Sequence, residues 1–185
     1  KRKMNNTLAI VVTILLSAFF SGMEIAFLSS NKLKIELEKG RGLLTARIMS
    51  SLYRDPSRLI GAMLLGNNIA LVIYGIAMAK VLDPFLLTYL PAKFHAEIIV
   101  LLLQTLIATL LILLVAEFLP KALFRLNSNA IIKFFAIPLW IIYYLLYPIV
   151  FLFTGISHII LKRIFNVKFT RQEPVFTTVD LDHYI

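Results

Sequence analysis

The chain has 185 residues, of which 59% are hydrophobic and 16% charged, with 14 Phe and 7 Tyr. That is more apolar surface than a soluble domain of this length can hide, so it calls for lipid around a single domain. The formal charge of +9 does not point to nucleic acid, because Lys and Arg cluster beside apolar segments instead of lining a polar face with stacking aromatics, and the lack of cysteine excludes thiolate metal sites and disulfides.

Lys1, Arg2 and Lys3 precede the first apolar stretch, which is too long for a signal peptide and has no small-residue cleavage pattern, so it reads as a retained helix. Residues 7–28 form the first predicted span, at about 20 residues the length that crosses a hydrocarbon core. From Asn31 to Tyr53, apolar and basic residues alternate at helical spacing, with Gly40 and Gly42 between, which predicts two short amphipathic helices. Asp55-Pro56-Ser57 restarts the chain into a second span over 59–82. A loop containing Pro84 and Pro91 leads to a third span over 98–119, with Glu117 and Pro120 at its end.

The fourth apolar segment, 130–161, is hydrophobic enough for another crossing, but charge argues otherwise. Seven basic residues lie between spans one and two (Lys32, Lys34, Lys39, Arg41, Arg47, Arg54, Arg58), whereas Lys80 at the end of span two and Lys93 after it stand against Asp83 and Glu97. The positive-inside rule then places the first loop in the cytoplasm and the second outside. Lys121 and Arg125 precede the fourth segment, Lys133 sits at its start, and Lys162, Arg163, Lys168 and Arg171 follow it, so both ends prefer one face. With Pro138 and Pro148 interrupting it, the segment reads as a kinked juxtamembrane helix lying in the interface. The basic N-terminal triplet opposes this topology, which puts it outside. The expectation is an all-α membrane protein with three spans in a transmembrane domain over 1–165. It is multi-pass in the inner (plasma) membrane, with 31–58 and 121–185 cytoplasmic, and 166–185 is a linker towards a further cytoplasmic domain.

Ser21, Glu24, Asn67, Asn68 and Glu117 sit inside apolar spans, where polar groups cost a few kcal/mol each and usually face the bundle interior. With the helical rise of about 1.5 Å per residue, Ser21 lies about 10 Å from the cytoplasmic end of its span and Asn67 about 12 Å from the start of its own. Each span pairs its polar residue with a helix disruptor: Gly22, Gly66 and Pro120. Pro120 has no N–H, so the Ala116 carbonyl loses its usual donor. Freed carbonyls, a hydroxyl, amide oxygens and a carboxylate are the hard ligands that Mg²⁺ or Ca²⁺ takes, and discontinuous helices hold ions in transporters. The plainer readings stand beside this one. Ser21, Gly22 and Gly66 serve close helix packing, Asn67 and Asn68 serve as interhelical glue, and Glu117 pairs with Lys121 one turn on. His95, His158 and His183 are isolated and have no metal-ligand spacing, and no catalytic constellation is present, so no enzyme is expected.

At Ser21-Gly22-Met23-Glu24, Gly66-Asn67-Asn68 and Glu117-Phe118-Leu119-Pro120-Lys121 the sequence resembles the CNNM/CorC family. The resemblance covers nearly the whole chain. It implies a homodimer in the lipid bilayer with three spans per subunit, a juxtamembrane belt helix, and Mg²⁺ movement or Mg²⁺-linked regulation. It also implies a cytoplasmic CBS-pair domain beyond Ile185, often with ATP. Carried over by position, Ser21, Asn67 and Glu117 help hold the ion, with carbonyls near Gly22 and Ala116 as additions. Leu71 stands where the family commonly has a second Asn, and Ala116 where it often has Gly. Asn68 is a candidate replacement for the lost oxygen. The expected function is divalent-cation transport; the alternative is a membrane scaffold or regulator that kept the fold and lost efficient transport.

Overall fold

A computed structural model describes residues 2–91, 94 and 96–164, and among them there is no strand. The predicted linker 166–185 lies outside the described residues, as do Lys93, His95 and His183 and the side chains of His158 and Lys162. The chain divides into two compact units, Lys1–Phe151 and Leu152–Ile185; the described part of the second is the end of the last helix.

Helix α1 (Arg2–Ser29) is followed by Asn31, whose extended backbone and side-chain oxygen, accepting from the Lys34 N–H at 3.0 Å, start α2 (Lys32–Gly40). Gly42, at φ +84°, supplies the left-handed turn into α3 (Leu44–Leu52). Asp55 then accepts from the Arg58 N–H at 3.3 Å and Pro56 occupies the first turn of α4 (Pro56–Tyr89). Helix α5 (Glu97–Ile112) passes into a π-helical segment (Leu113–Phe118) and α6 (Leu119–Leu126), and the chain closes with α7 (Ser128–Phe134) and α8 (Ala136–Ile164).

Among the described residues, four stretches are long and apolar enough to cross a bilayer: Asn5–Ser29, Pro56–Tyr89, Glu97–Leu126 and Ala136–Ser157. The last qualifies by length and composition like the others, so helix length does not distinguish three crossings from four. Two boundaries differ from expectation. The loop expected from Asp83 is helical as far as Tyr89, through Pro84. Membrane helices tolerate proline where packing compensates, and Leu82 and Leu86 are both buried in one cluster with Val100 of α5. The segment expected as one kinked helix from Ala130 is two helices that break at Phe135. Pro138 thereby falls in the first turn of α8, where its missing N–H leaves no carbonyl without a donor.

Helix α1 is the hub, packing most extensively on α4 and also on α6, α7 and the π-helical segment, while α5 leans on α4. Two apolar clusters result. One joins Phe20, Met23 and Phe27 of α1 to the α2–α3 hairpin, the start of α4, and Ile132, Ala136 and Leu139. The other joins Tyr74, Met78 and Leu82 of α4 to Val100, Ile112 and Ala116. Polar contacts fasten the hairpin. Tyr53 Oη donates to the Phe27 carbonyl at 3.1 Å and meets Ser30 Oγ, the Asn31 N–H donates to Asn129 Oδ1 at 2.8 Å, and Lys133 pairs with Glu38 at 2.9 Å. Burial pushes the Tyr53 hydroxyl above its ordinary pKa, which keeps it a donor.

Candidate functional site

Between the two apolar clusters, α1 presents a column of hydroxyls one turn apart, Thr13, Ser17 and Ser21, each at most 3% exposed. Spacing of four residues puts them on one face. Thr13 bonds back to the Ala9 and Ile10 carbonyls at 2.7 and 3.0 Å, which satisfies it within its own helix. Ser17 Oγ donates to Asn67 Oδ1 of α4 at 2.6 Å. Ser21 Oγ is buried and has no hydrogen-bond partner among the described residues. A buried hydroxyl without a partner costs about 1–3 kcal/mol, so Ser21 marks a place where a ligand would repay desolvation already spent.

The glycines beside these residues do not break their helices: α1 runs without interruption through Gly22 and α4 through Gly66. They admit aromatic rings instead. A Cβ on Gly22 would lie 2.6 Å from the Phe124 ring of α6, and one on Gly66 would run into the Phe20 ring of α1. The expected disruptions in the first two spans are therefore close-packing positions that hold α6 and α4 against the hydroxyl column. Among the described residues, π-helical backbone appears in the third span, where Leu113–Phe118 is π-helical ahead of Pro120 and the Leu119 N–H reaches back five residues to the Leu114 carbonyl. Single π turns inside membrane helices frequently sit at functional sites.

Ala116, in that segment, is fully buried, and Glu117 is half-buried. Glu117 lines a cavity of about 380 Å³ between α4 and α5, together with Leu71, Tyr74, Gln104, Thr105 and Thr109. The Tyr74 hydroxyl closes one side by donating to the Ala108 carbonyl at 3.0 Å. Among the described residues Glu117 has no ion pair, so the pairing with Lys121 considered from sequence is not formed, although both residues border a second cavity of about 640 Å³. The hydroxyl seam and the carboxylate cavity are adjacent, because the π-helical segment packs on α1, but no hydrogen bond joins Glu117 to Ser21 or Asn67 among the described residues.

Of the residues named from sequence, Ser21, Gly22 and Asn67 lie at the α1 interfaces, and Ala116 and Glu117 on the π-helical segment. Asn68 is exposed one position round the helix from Asn67, and Glu24 is half-buried with no ion pair among the described residues. No group of three or more His, Asp or Glu side chains is gathered at one point among the described residues. Sequence reading passed over Ser17, Gln104, Thr105 and Thr109. Ser17 had a signal in its place four residues before Ser21, and Gln104 in being the one amide of its span.

The chain matches the cyclin M transmembrane N-terminal domain over residues 8–185. It belongs to the CNNM family. Among its relatives is the UPF0053 inner membrane protein YfjD of Escherichia coli strain K12, 28% identical over 83% of this chain and 33% of that protein. Another is the polyamine export protein of the same strain, 26% identical over 93% of this chain and 39% of that protein. The chain thus spans about a third to two fifths of the length of the curated relatives it matches. With several helices able to cross a bilayer and an inner membrane protein among its relatives, this CNNM-family chain is a multi-pass inner membrane protein.

Proposed function

We propose that the chain carries a cation across the membrane, with Mg²⁺ as cargo, through the seam formed by Ser21, Asn67 and Glu117. The observation that carries this is the buried Ser21 hydroxyl, left without a partner one turn from the Ser17–Asn67 bond in a membrane-crossing helix. Asn67 Oδ1 uses one lone pair on Ser17 and keeps another, Ser21 offers a free oxygen, and Glu117 brings the negative charge. Neutral oxygens and one carboxylate suit a Mg²⁺ that retains several of its waters, since this ion dehydrates reluctantly and is bound by few protein groups. Leu71, on the cavity wall with Glu117, withholds one more oxygen and makes a hydrated ion the better fit.

The working unit in this proposal is a homodimer of three-span subunits, with α8 along the cytoplasmic interface and 31–58 and 121–185 on the cytoplasmic side. The third span supports the pairing: only 11% of its apolar window is buried within one chain, yet it carries Gln104, Thr105, Thr109 and Glu117 on the cavity side. Polar side chains at membrane depth face protein, and a second copy would cover them. No catalytic step and no resident cofactor enter the reading; ATP would act only through a CBS-pair domain outside this chain.

A polyamine is the second cargo considered, because a relative is named for polyamine export and a hydrated divalent ion and an organic polycation share the need for Glu117. Reconstitution into liposomes decides between them. Flux of Mg²⁺ that polyamines do not inhibit supports the proposal. Polyamine flux alone moves the assignment to that cargo, and no flux of either favours a scaffold or regulator of the same fold.

A further inference from the structure

The α2–α3 hairpin packs one face inward through Ile35, Ala46, Met49 and Leu52, which are buried in the cluster shared with α4 and α7. Its tip is built differently. Leu43 and Leu44, beside the Gly42 turn, are 47% and 64% exposed, and Leu37, about one turn before the end of α2, is 57% exposed. Lys34, Arg41 and Arg47 are exposed on the same two helices.

The charge here is uncompensated. The two acidic residues of the hairpin are already engaged, Glu36 with Lys39 at 3.0 Å and Glu38 with Lys133 at 2.9 Å. Lys34, Arg41 and Arg47 have no ion pair among the described residues. Setting topology requires only the basic residues and leaves the exposed leucines without a purpose. Leucines flanked by Lys and Arg are the composition of segments that lie in the headgroup region of a bilayer.

Position supports the same occupant. The hairpin joins α1 to α4, two membrane-crossing helices, so both its ends are fixed at one bilayer face. The nine residues of α2 carry the tip about 13 Å from Asn31 at a rise of about 1.5 Å per residue.

We propose that the outer part of the α2–α3 hairpin docks on anionic lipid, with Leu37, Leu43 and Leu44 entering the headgroup region, Arg41 and Arg47 meeting lipid phosphates at the tip and Lys34 meeting them nearer its base. The site is separate from the hydroxyl seam and does not depend on what the protein transports.

Because the chain contains no cysteine, a single label can report on the tip. The chain carrying Leu44→Cys, and separately Leu37→Cys, is labelled with an environment-sensitive fluorophore. It is then reconstituted in phosphatidylcholine vesicles with and without phosphatidylglycerol. In the anionic vesicles the expected result is a blue shift, quenching by spin-labelled lipid and protection from aqueous iodide. Arg41→Gln and Arg47→Gln should each weaken this lipid-dependent protection by about fivefold, the factor expected for losing one basic residue near an anionic surface. Equal iodide quenching in both vesicle types overturns the proposal by placing the tip in water. Protection from iodide and spin-labelled lipid alike overturns it too, since the tip would then be covered by protein.

Discussion

Ser17 donates to Asn67 across the α1–α4 interface at 2.6 Å, while Ser21, one turn along the same face, has a buried hydroxyl with no partner among the described residues. The two serines are chemically alike and equally buried, yet only one is satisfied by the protein. This asymmetry underlies the proposal that Ser17 packs and Ser21 binds.

Ser17→Ala and Ser21→Ala should therefore behave in opposite ways. Loss of Ser17 leaves Asn67 Oδ1 without its donor and should cost about 0.6–1.7 kcal/mol, the range for interhelical hydrogen bonds in membrane proteins. Loss of Ser21 removes an unsatisfied group and should leave the cation-free protein unchanged or up to about 1 kcal/mol more stable. Thermal unfolding in detergent without divalent cations gives both values. A larger cost for Ser21→Ala than for Ser17→Ala would mean that Ser21 is structural.

Gly66 admits the Phe20 ring where a Cβ would clash. Gly66→Ala should destabilise by about 1–3 kcal/mol through overpacking. Phe20→Leu in the same chain should recover part of that loss, because the ring is the obstructing group. Unfolding temperatures of the single and double variants test the coupling, and additive losses would rule out the contact as its cause.

Glu38 and Lys133 join the hairpin to α7 at 2.9 Å, with side chains 14% and 29% exposed. A pair between the surface and buried limits is expected to contribute about 1–2 kcal/mol. Lys133→Ala should cost that much, and the exchanged pair Glu38→Lys with Lys133→Glu should restore at least half. Protection of the α2–α3 amides in hydrogen exchange provides the readout.

Glu36 accepts from the Ser50 hydroxyl at 2.5 Å, and this bond is the main reason its carboxyl lies below the ordinary Glu value, with Lys39 adding to it against the opposing effect of burial. A folded pKa below the unfolded one contributes stability above the unfolded value, which is lost as pH falls through the folded value. The contact between α2 and α3 should therefore loosen in acid, below about pH 4.3, the ordinary Glu value. Ser50→Ala should raise the Glu36 pKa and bring that loss to higher pH. Titration of the Glu36 carboxyl by carbon NMR in the two proteins measures the difference directly.

The order of the apolar helices could be read from hydropathy, because lipid imposes length and polarity on each crossing. Helix ends were harder. Pro84 reads locally as a breaker, and only the packing of Leu82 and Leu86 with Val100 explains why α4 continues past it. Gly22 and Gly66 likewise read as breaks in a one-dimensional pattern, whereas the rings that fill them come from Phe124 and Phe20 on other helices. Ser21, Asn67 and Glu117 were visible as polar residues in apolar runs. Ser17 was passed over because a lone serine in a helix is unremarkable until its partner fifty residues away is known. The cavity that joins Glu117 to Gln104 depends on the α4–α5 packing, which no local pattern encodes.

The most direct measurement is Mg²⁺ flux into liposomes containing the wild-type chain, Ser21→Ala, Asn67→Ala or Glu117→Ala, with thermal unfolding confirming that each variant is folded. The account predicts flux in the wild type, and at least a tenfold loss in each variant, equivalent to about 1.4 kcal/mol of lost cation stabilisation. Folded Ser21→Ala and Glu117→Ala proteins with wild-type flux would contradict it.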